Sequence, residues 1–207
     1  MKTRFLFTTI LLLISILVHT YAQDSKLYVY IPDIEKDETV SGYMDSNGKI
    51  VIPAGKYANT FTAEFDKIAF VAIKGRQGVY AIDRKEKVLF EVYNYMGFPD
   101  DVSNGLFRII ENGKIGFANM DGQIVIKPQF QFVYPFTDNG FAIFCKNGIW
   151  SKLNKEIDVI TGKWGAINKK GKIIIPATYE GGSESYLRKG DKLYKLNKQS
   201  KLELKSK

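Results

Sequence analysis

The run from Gly162 to Pro176 constrains this chain more than any other, because weaker copies of it recur along most of the sequence. It reads as two short strands joined by a tight turn. Trp164 and Ile167 favour a pleated backbone, as does Ile173-Ile174-Ile175. Between them, Asn168-Lys169-Lys170-Gly171-Lys172 fits a type I turn followed by a left-handed residue. Asn168 can accept a local backbone N–H, and Gly171 takes φ > 0 without a Cβ clash. Pro176 cannot donate to a ladder and closes the second strand.

Gly42 to Pro53 is a copy with Asp45, Gly48 and Pro53 at the matching positions, and Gly116 to Pro128 is a third with Asn119 and Gly122. Val79 to Phe90 is degenerate: Glu86 occupies the glycine position, so this turn either carries strain or adopts another type. Trp150 to Glu156 reads as a truncated copy, and Leu193 to Leu202 as a worn last one. The turn residues Asp45, Asp83, Asn119, Asn168 and Asn197 are spaced by 38, 36, 49 and 29 residues. Such spacing is that of stacked or radial repeat arrays.

The segments between hairpins repeat too. Asn104 to Gly113 parallels Asn139 to Gly148, and Asn112-Gly113 and Asn147-Gly148 are both two-residue hairpin signals. Each full unit is therefore a three-stranded antiparallel meander; in the third the strands are Leu106–Ile110, Ile115–Asn119 and Gln123–Lys127. The aromatic connection Phe130 to Phe136 leads to the next unit. No long stretch has helical periodicity.

These residues resemble the WG-repeat (KWG-repeat) family. The match runs from about Ser41 to Leu204 and rests on the Lys163-Trp164-Gly165 hairpin, its Ile167-Asn168-Lys169 turn and the Pro-terminated apolar strand. Other units carry Gly42-Tyr43 and Gly116-Phe117 instead of the signature dipeptide. The resemblance implies all-β repeats, frequently in exported bacterial proteins. It implies no general catalytic activity and supplies no motif of catalytic residues.

Residues 1–22 stand apart. Lys2 and Arg4 precede the apolar run Phe5 to Val18, and Thr20-Tyr21-Ala22 ends it with small residues where a signal peptidase reads. The run is short for a membrane span, so a cleaved signal is expected, with the exported chain beginning at Gln23. That removes His19, the only histidine. Lys and Arg fall from 30 to 28 against 22 Asp and Glu, leaving +6 in place of +8. Cys145 is the sole cysteine, so no internal disulfide can staple the domain. Residues 23–40 hold an opening strand, Leu27 to Ile31, and an acidic connection, Asp33 to Glu38, which reads as solvated. Residues 41–207 form the repeat domain.

Few residues invite a chemical role. Cys145 aligns with Ile110 on an apolar strand and lacks a histidine base, so core packing is its expected role. The recurring Asx residues are explained by their turns. Asp100-Asp101, adjacent in a loop after Pro99, are expected to be solvated rather than a hydrolytic pair. Trp150, Trp164, Phe130, Phe132, Tyr134 and Phe136 are expected to pack between units, with Trp150 and Trp164 as the candidate aromatic contacts should the array present a stacking surface. Arg188, Lys189, Lys192, Lys195, Lys198 and Lys201, with Lys205 and Lys207, make the last repeat basic. Lysines guard an open sheet edge, and they are also the candidate contacts for a polyanion.

The sequence thus points to an all-β array of antiparallel three-stranded meander repeats, about four units of which the last is a basic cap, either an open stack or propeller-like. No catalytic, cofactor-binding or metal-ligating residue is assigned, and no cofactor is expected. The leading function is protein binding or scaffolding after export to the periplasm, cell surface or medium. The alternatives are a polyanion- or glycan-binding module (envelope glycan or lipid headgroup) and, behind it, a carboxylate hydrolase. No nucleic-acid partner is expected, and no membrane span once the signal is removed.

Overall fold

The computed structural model describes residues 26–33, 40–153, 157–199 and 201–205. The expected signal at 1–22, most of the acidic connection and residues 154–156 of the truncated copy lie outside them. The fold is all-β. Five meanders follow one another, one for each Asx turn and one more than the four or so expected; the opening strand completes the first. That unit is β1 (Leu27–Tyr30), β2 (Gly42–Met44) and β3 (Ile50–Ile52), with Tyr30 opposite Gly42. The short strands β4 (Asn59–Thr60) and β5 (Glu64–Phe65) lead to β6 (Ile68–Ala72), β7 (Val79–Asp83) and β8 (Val88–Val92). A small hairpin, β9 (Asn94–Tyr95) and β10 (Phe98–Pro99), precedes the third unit, β11 (Leu106–Glu111), β12 (Lys114–Asn119) and β13 (Ile124–Phe130). After β14 (Phe132–Val133) come β15 (Phe141–Leu153), β16 (Ile157–Asn168) and β17 (Ile173–Tyr179). Finally β18 (Gly181–Gly182) precedes β19 (Tyr186–Lys189), β20 (Lys192–Leu196) and β21 (Leu202–Leu204).

All sheets are antiparallel and none closes into a barrel; the second and third units share one seven-stranded sheet in the order β13-β12-β11-β8-β7-β6-β4. The core is divided into four clusters, and each lies mainly between two successive units. Leu27, Tyr43, Phe65 and Val71 join the first to the second, and Phe70, Val79, Phe107 and Ala118 the second to the third. Phe117, Ile126, Phe144 and Ile167 join the third to the fourth; Ile143, Trp164, Leu187 and Leu196 join the fourth to the fifth. Five units with four interfaces form an open stack among the described residues. This explains why Phe141-Ala142-Ile143-Phe144-Cys145 is a continuous apolar run: Ala142 and Phe144 face one neighbour, Phe141, Ile143 and Cys145 the other.

The Asx turn is built the same way in every unit. The Oδ1 of Asp45, Asp83, Asn119, Asn168 and Asn197 each accepts from the backbone N–H groups two and four residues on, at 2.9–3.1 Å. Gly48, Gly122 and Gly171 have φ of 80, 77 and 75°, and Glu86 takes the same conformation at 62°. The degenerate turn therefore keeps the common geometry rather than another type. Its strain is offset by the Glu86 carboxylate, which accepts from Lys56 Nζ and the Tyr57 hydroxyl, both at 2.8 Å. Because Glu86→Gly removes those bonds along with the strain, the change is expected to be near neutral in denaturation midpoint.

These turns also touch the preceding unit. A Cβ on Gly171 would lie 3.3 Å from Ile126, and one on Gly122 would lie 3.0 Å from Ile68 and Leu89; on Gly48, in the first unit, it would meet nothing within 4 Å. Gly171→Val is therefore expected to lower stability by about 3 kcal/mol, from strain plus overpacking, and Gly48→Val by about 1–2 kcal/mol from strain alone. Chemical denaturation midpoints check the difference.

The glycine of the Gly-Tyr, Gly-Phe and Trp-Gly pairs has a separate cause. A Cβ on Gly42, Gly116 or Gly165 would sit 2.4–2.5 Å from the carbonyl oxygen of Ile52, Ile126 or Ile175. At these points the third strand kinks over the second. Phe117 faces Ile126 but Ile115 faces Phe130, and Ala166 faces Ile175 but Trp164 faces Tyr179, so two residues oppose four. Pro53, Pro128 and Pro176, which lack a ladder donor, stand at the kink. The second and fifth units have Tyr80 and Tyr194 at the glycine position and no proline there. At these tyrosines the third strands pair one for one, as in Tyr80 opposite Glu91 and Tyr194 opposite Leu204, and the second unit slips by a single residue between Ala81 and Ile82.

Candidate interaction surface

In a meander the Asx turn lies at one end, and the other end carries both the link between strands one and two and the exit to the next unit. The Asx end is constant: five times the acceptor serves the same two amides. The opposite end holds the length variation of the link between the first two strands, from the two-residue Asn112-Gly113 hairpin to the 73–78 loop. Insertions confined to one end of an array mark the end free to acquire contacts.

The largest insertion is in the fourth unit. Lys146 opposite Lys163 corresponds to Glu111 opposite Lys114, where the third unit turns back. Here the strands continue as a ribbon to Leu153 and Ile157. Asn147-Gly148 is thus not a hairpin turn but a β-bulge: three steps from Lys146 to Ile149 oppose two from Lys163 to Thr161, and Asn147 has φ 55°. Likewise Trp150 to Glu156 is not a separate truncated copy; its described part is one strand of this ribbon. Glycines make the bulge possible, since a Cβ on Gly162 would lie 2.5 Å from Cys145 Sγ and one on Gly148 2.3 Å from Ile160. The Gln131 side chain accepts from the Gly148 N–H at 2.9 Å and ties the bulge to the preceding connection.

Ile149 and Trp150 stand on this ribbon at 69% and 53% exposure. The Trp150 ring rests edge-on against Phe132 at 5.6 Å, which orients it without burying it. At the ribbon's foot a groove of about 340 Å³ opens between Lys114, Gln129, Gln131, Phe144, Lys146 and Ile173. It combines apolar walls with amide and ammonium groups, as suits a peptide segment.

The other sequence candidates divide. Trp164 is 3% exposed and stacks with Tyr134 at 6.1 Å, so it belongs to the core and cannot be a contact residue, whereas Trp150 is not packed away between units as expected. Phe130, Phe132 and Phe136 are buried, as the packing reading requires. Cys145 is buried too, and burial pushes its thiol pKa up, away from a nucleophile's range. Asp100 is not solvated. Its carboxylate accepts from Arg108 N and Nε at 2.9 and 3.0 Å and pairs with Nη2, with side-chain exposures of 7% and 11%. Arg108 also lies 4.1 Å over the Tyr93 ring and donates to the Val133 carbonyl at 3.1 Å, linking the third unit to the fourth. Only Asp101 is exposed.

The basic residues of the last unit do not form one patch. Lys189 opposite Lys192 shares a sheet face with Leu187 and Tyr194; Arg188 and Lys195 lie on the other with Tyr186 and Glu203. Arg188 is 3.8 Å from Glu180, and Lys205 lies over the Tyr186 ring at 4.8 Å. Lys198 and Lys201 are exposed at the last Asx turn.

One exposed feature escaped the sequence reading. The β9–β10 hairpin presents Tyr95, Met96 and Phe98 at 73%, 82% and 67% exposure. Its only signal is the Gly97 that follows Met96, flanked by aromatics.

Comparison with known proteins agrees with this construction. No curated protein matches the chain. The family model for the WG containing repeat matches residues 42–71, 115–150 and 164–183. These stretches begin at or beside Gly42, Gly116 and Gly165, the three glycines under kinked strands. These three stretches of the chain are WG repeats.

Proposed function

We propose that this WG-repeat array is a non-enzymatic, exported module that binds another protein at the cell envelope or outside the cell, using the end opposite its Asx turns. The observation that carries the reading is the ribbon: the longest departure from the repeat, bearing the exposed Ile149 and Trp150 on its two faces, with a mixed polar and apolar groove at its foot. Aromatic anchors beside a groove are the usual centres of interface energy. The leader composition of residues 1–22 supports export. The two-sided placement of the C-terminal lysines favours capping over polyanion binding.

The tagged full chain is expected to recover a protein partner from cell-envelope extract, with an exported form starting at Gln23 by intact mass. The double change Ile149→Ser and Trp150→Ser is expected to cut that recovery about tenfold or more, since a truncated aromatic anchor costs about 2 kcal/mol, with the repeat array still folded by circular dichroism. Undiminished recovery would contradict the site, and turnover of an envelope polymer by the purified chain would contradict the non-enzymatic reading.

A further inference from the structure

The β9–β10 hairpin is built to hold apolar side chains in water. Tyr95 and Phe98 pair across a two-residue turn whose central residues, Met96 and Gly97, have φ of 53 and 86°. Such a turn favours Asn-Gly; a methionine there is strained and gains nothing from burial, being 82% exposed. The base is fixed. Pro99 faces Asn94, the Asp100 N–H donates to the Tyr93 carbonyl at 2.8 Å, and Asp100 and Arg108 form their buried pair directly behind. The result is a convex finger, steadied on one side by the Phe98 ring, which stands edge-on to Phe61 at 6.3 Å.

We propose that this hairpin is a membrane-docking finger that places Tyr95, Met96 and Phe98 in the headgroup–acyl boundary of an anionic lipid bilayer. The shape fits: the two strands carry the apolar tip about 7 Å beyond Asn94 and Pro99 at about 3.4 Å per residue, within the roughly 5–10 Å to which interfacial segments sink. Cross-strand pairing leaves few backbone groups to desolvate. Tyrosine suits the boundary, with its ring in the apolar layer and its hydroxyl in the wet one. Exposed Asp101 follows the tip on the side that stays in water. The charge also fits. Lys74 and Arg76 lie exposed in the 73–78 loop, which leaves the second unit at the same end, since Val79 is paired with Val92 two residues before the hairpin. The chain from Gln23 onward is formally +6, with 28 Lys and Arg against 22 Asp and Glu. This docking is independent of which protein the ribbon engages.

The test uses the full chain with Tyr95→Cys carrying an environment-sensitive fluorophore; Cys145, 1% exposed, stays unlabelled in the folded protein. Mixed phosphatidylcholine and phosphatidylglycerol vesicles are expected to blue-shift and brighten the label, and brominated lipids to quench it. The same label on Lys170→Cys, at an Asx turn, should not respond. Adding Met96→Asn and Phe98→Ser should raise the lipid concentration for half-maximal response at least about tenfold. Met96→Asn improves the turn, so that loss would not reflect an unfolded hairpin. No response at position 95, an equal response at 170, or an unchanged half-maximal concentration in the combined variant would overturn the proposal; the first of these would also return the finger to the class of protein contacts.

Discussion

Gly165→Ala is expected to lower stability by about 3 kcal/mol or more, a large loss for a single methyl group on a strand. The added Cβ would lie 2.5 Å from the Ile175 oxygen and 2.9 Å from the Ala177 nitrogen. Both are backbone atoms of a kinked strand, so neither can swing aside as a side-chain end would. Relief requires straightening β17, which would carry Ile175 and Tyr179 out of register with Ala166 and Trp164. Gly116→Ala should behave alike, its Cβ lying 2.4 Å from the Ile126 oxygen. Tyr80→Ala, at the matching position of the second unit, should change stability by less than about 1 kcal/mol, because the third strand there pairs one for one and Tyr80 is only partly buried. Denaturant midpoints of the three variants decide the matter. A mild Gly165→Ala would mean that the signature glycine is not set by the crossing strand.

Asp100→Asn should also be severe, at about 3 kcal/mol, since it leaves the Arg108 guanidinium buried without a counter-charge. Asp101→Asn, next to it and exposed, should be neutral within about 0.5 kcal/mol. Replacing the pair together, with Asp100→Leu and Arg108→Met, should recover part of the loss, because it removes the uncompensated charge but leaves the backbone N–H at 108 and the Val133 carbonyl without these partners. Thermal unfolding of the four proteins measures this. Equal effects of the two asparagine variants would show that the Asp100–Arg108 link does not hold the third and fourth units together.

The turns and the all-β repeat were legible in the sequence because their causes are local. An Asx oxygen reaches amides two and four residues on, and a positive φ selects glycine within the same loop. The kink is half legible: glycine and proline appear together in three units, but their reason is a contact between strands that pairing alone defines. Asn147-Gly148 misled for the opposite reason. Its local preference for a turn is overridden by β-formers on both sides, Ile149-Trp150 and Val159-Ile160-Thr161, which extend the ladder and turn the pair into a bulge. Asp100 was misread because its partner lies eight residues away across a hairpin, where no spacing rule pairs the charges. Tyr95 to Phe98 was passed over because Met-Gly is a weak turn signal and aromatics usually signal a core.

The central claim, that ligands meet the array at the end opposite its Asx turns, is tested most directly by photo-cross-linking in the producing cell. A photoreactive side chain is placed at Ile149 or Trp150 on the ribbon, and separately at Lys85 or Lys170 on the Asx turns. The account predicts protein adducts from the ribbon positions and none from the turns; adducts from the turns with none from the ribbon would contradict it.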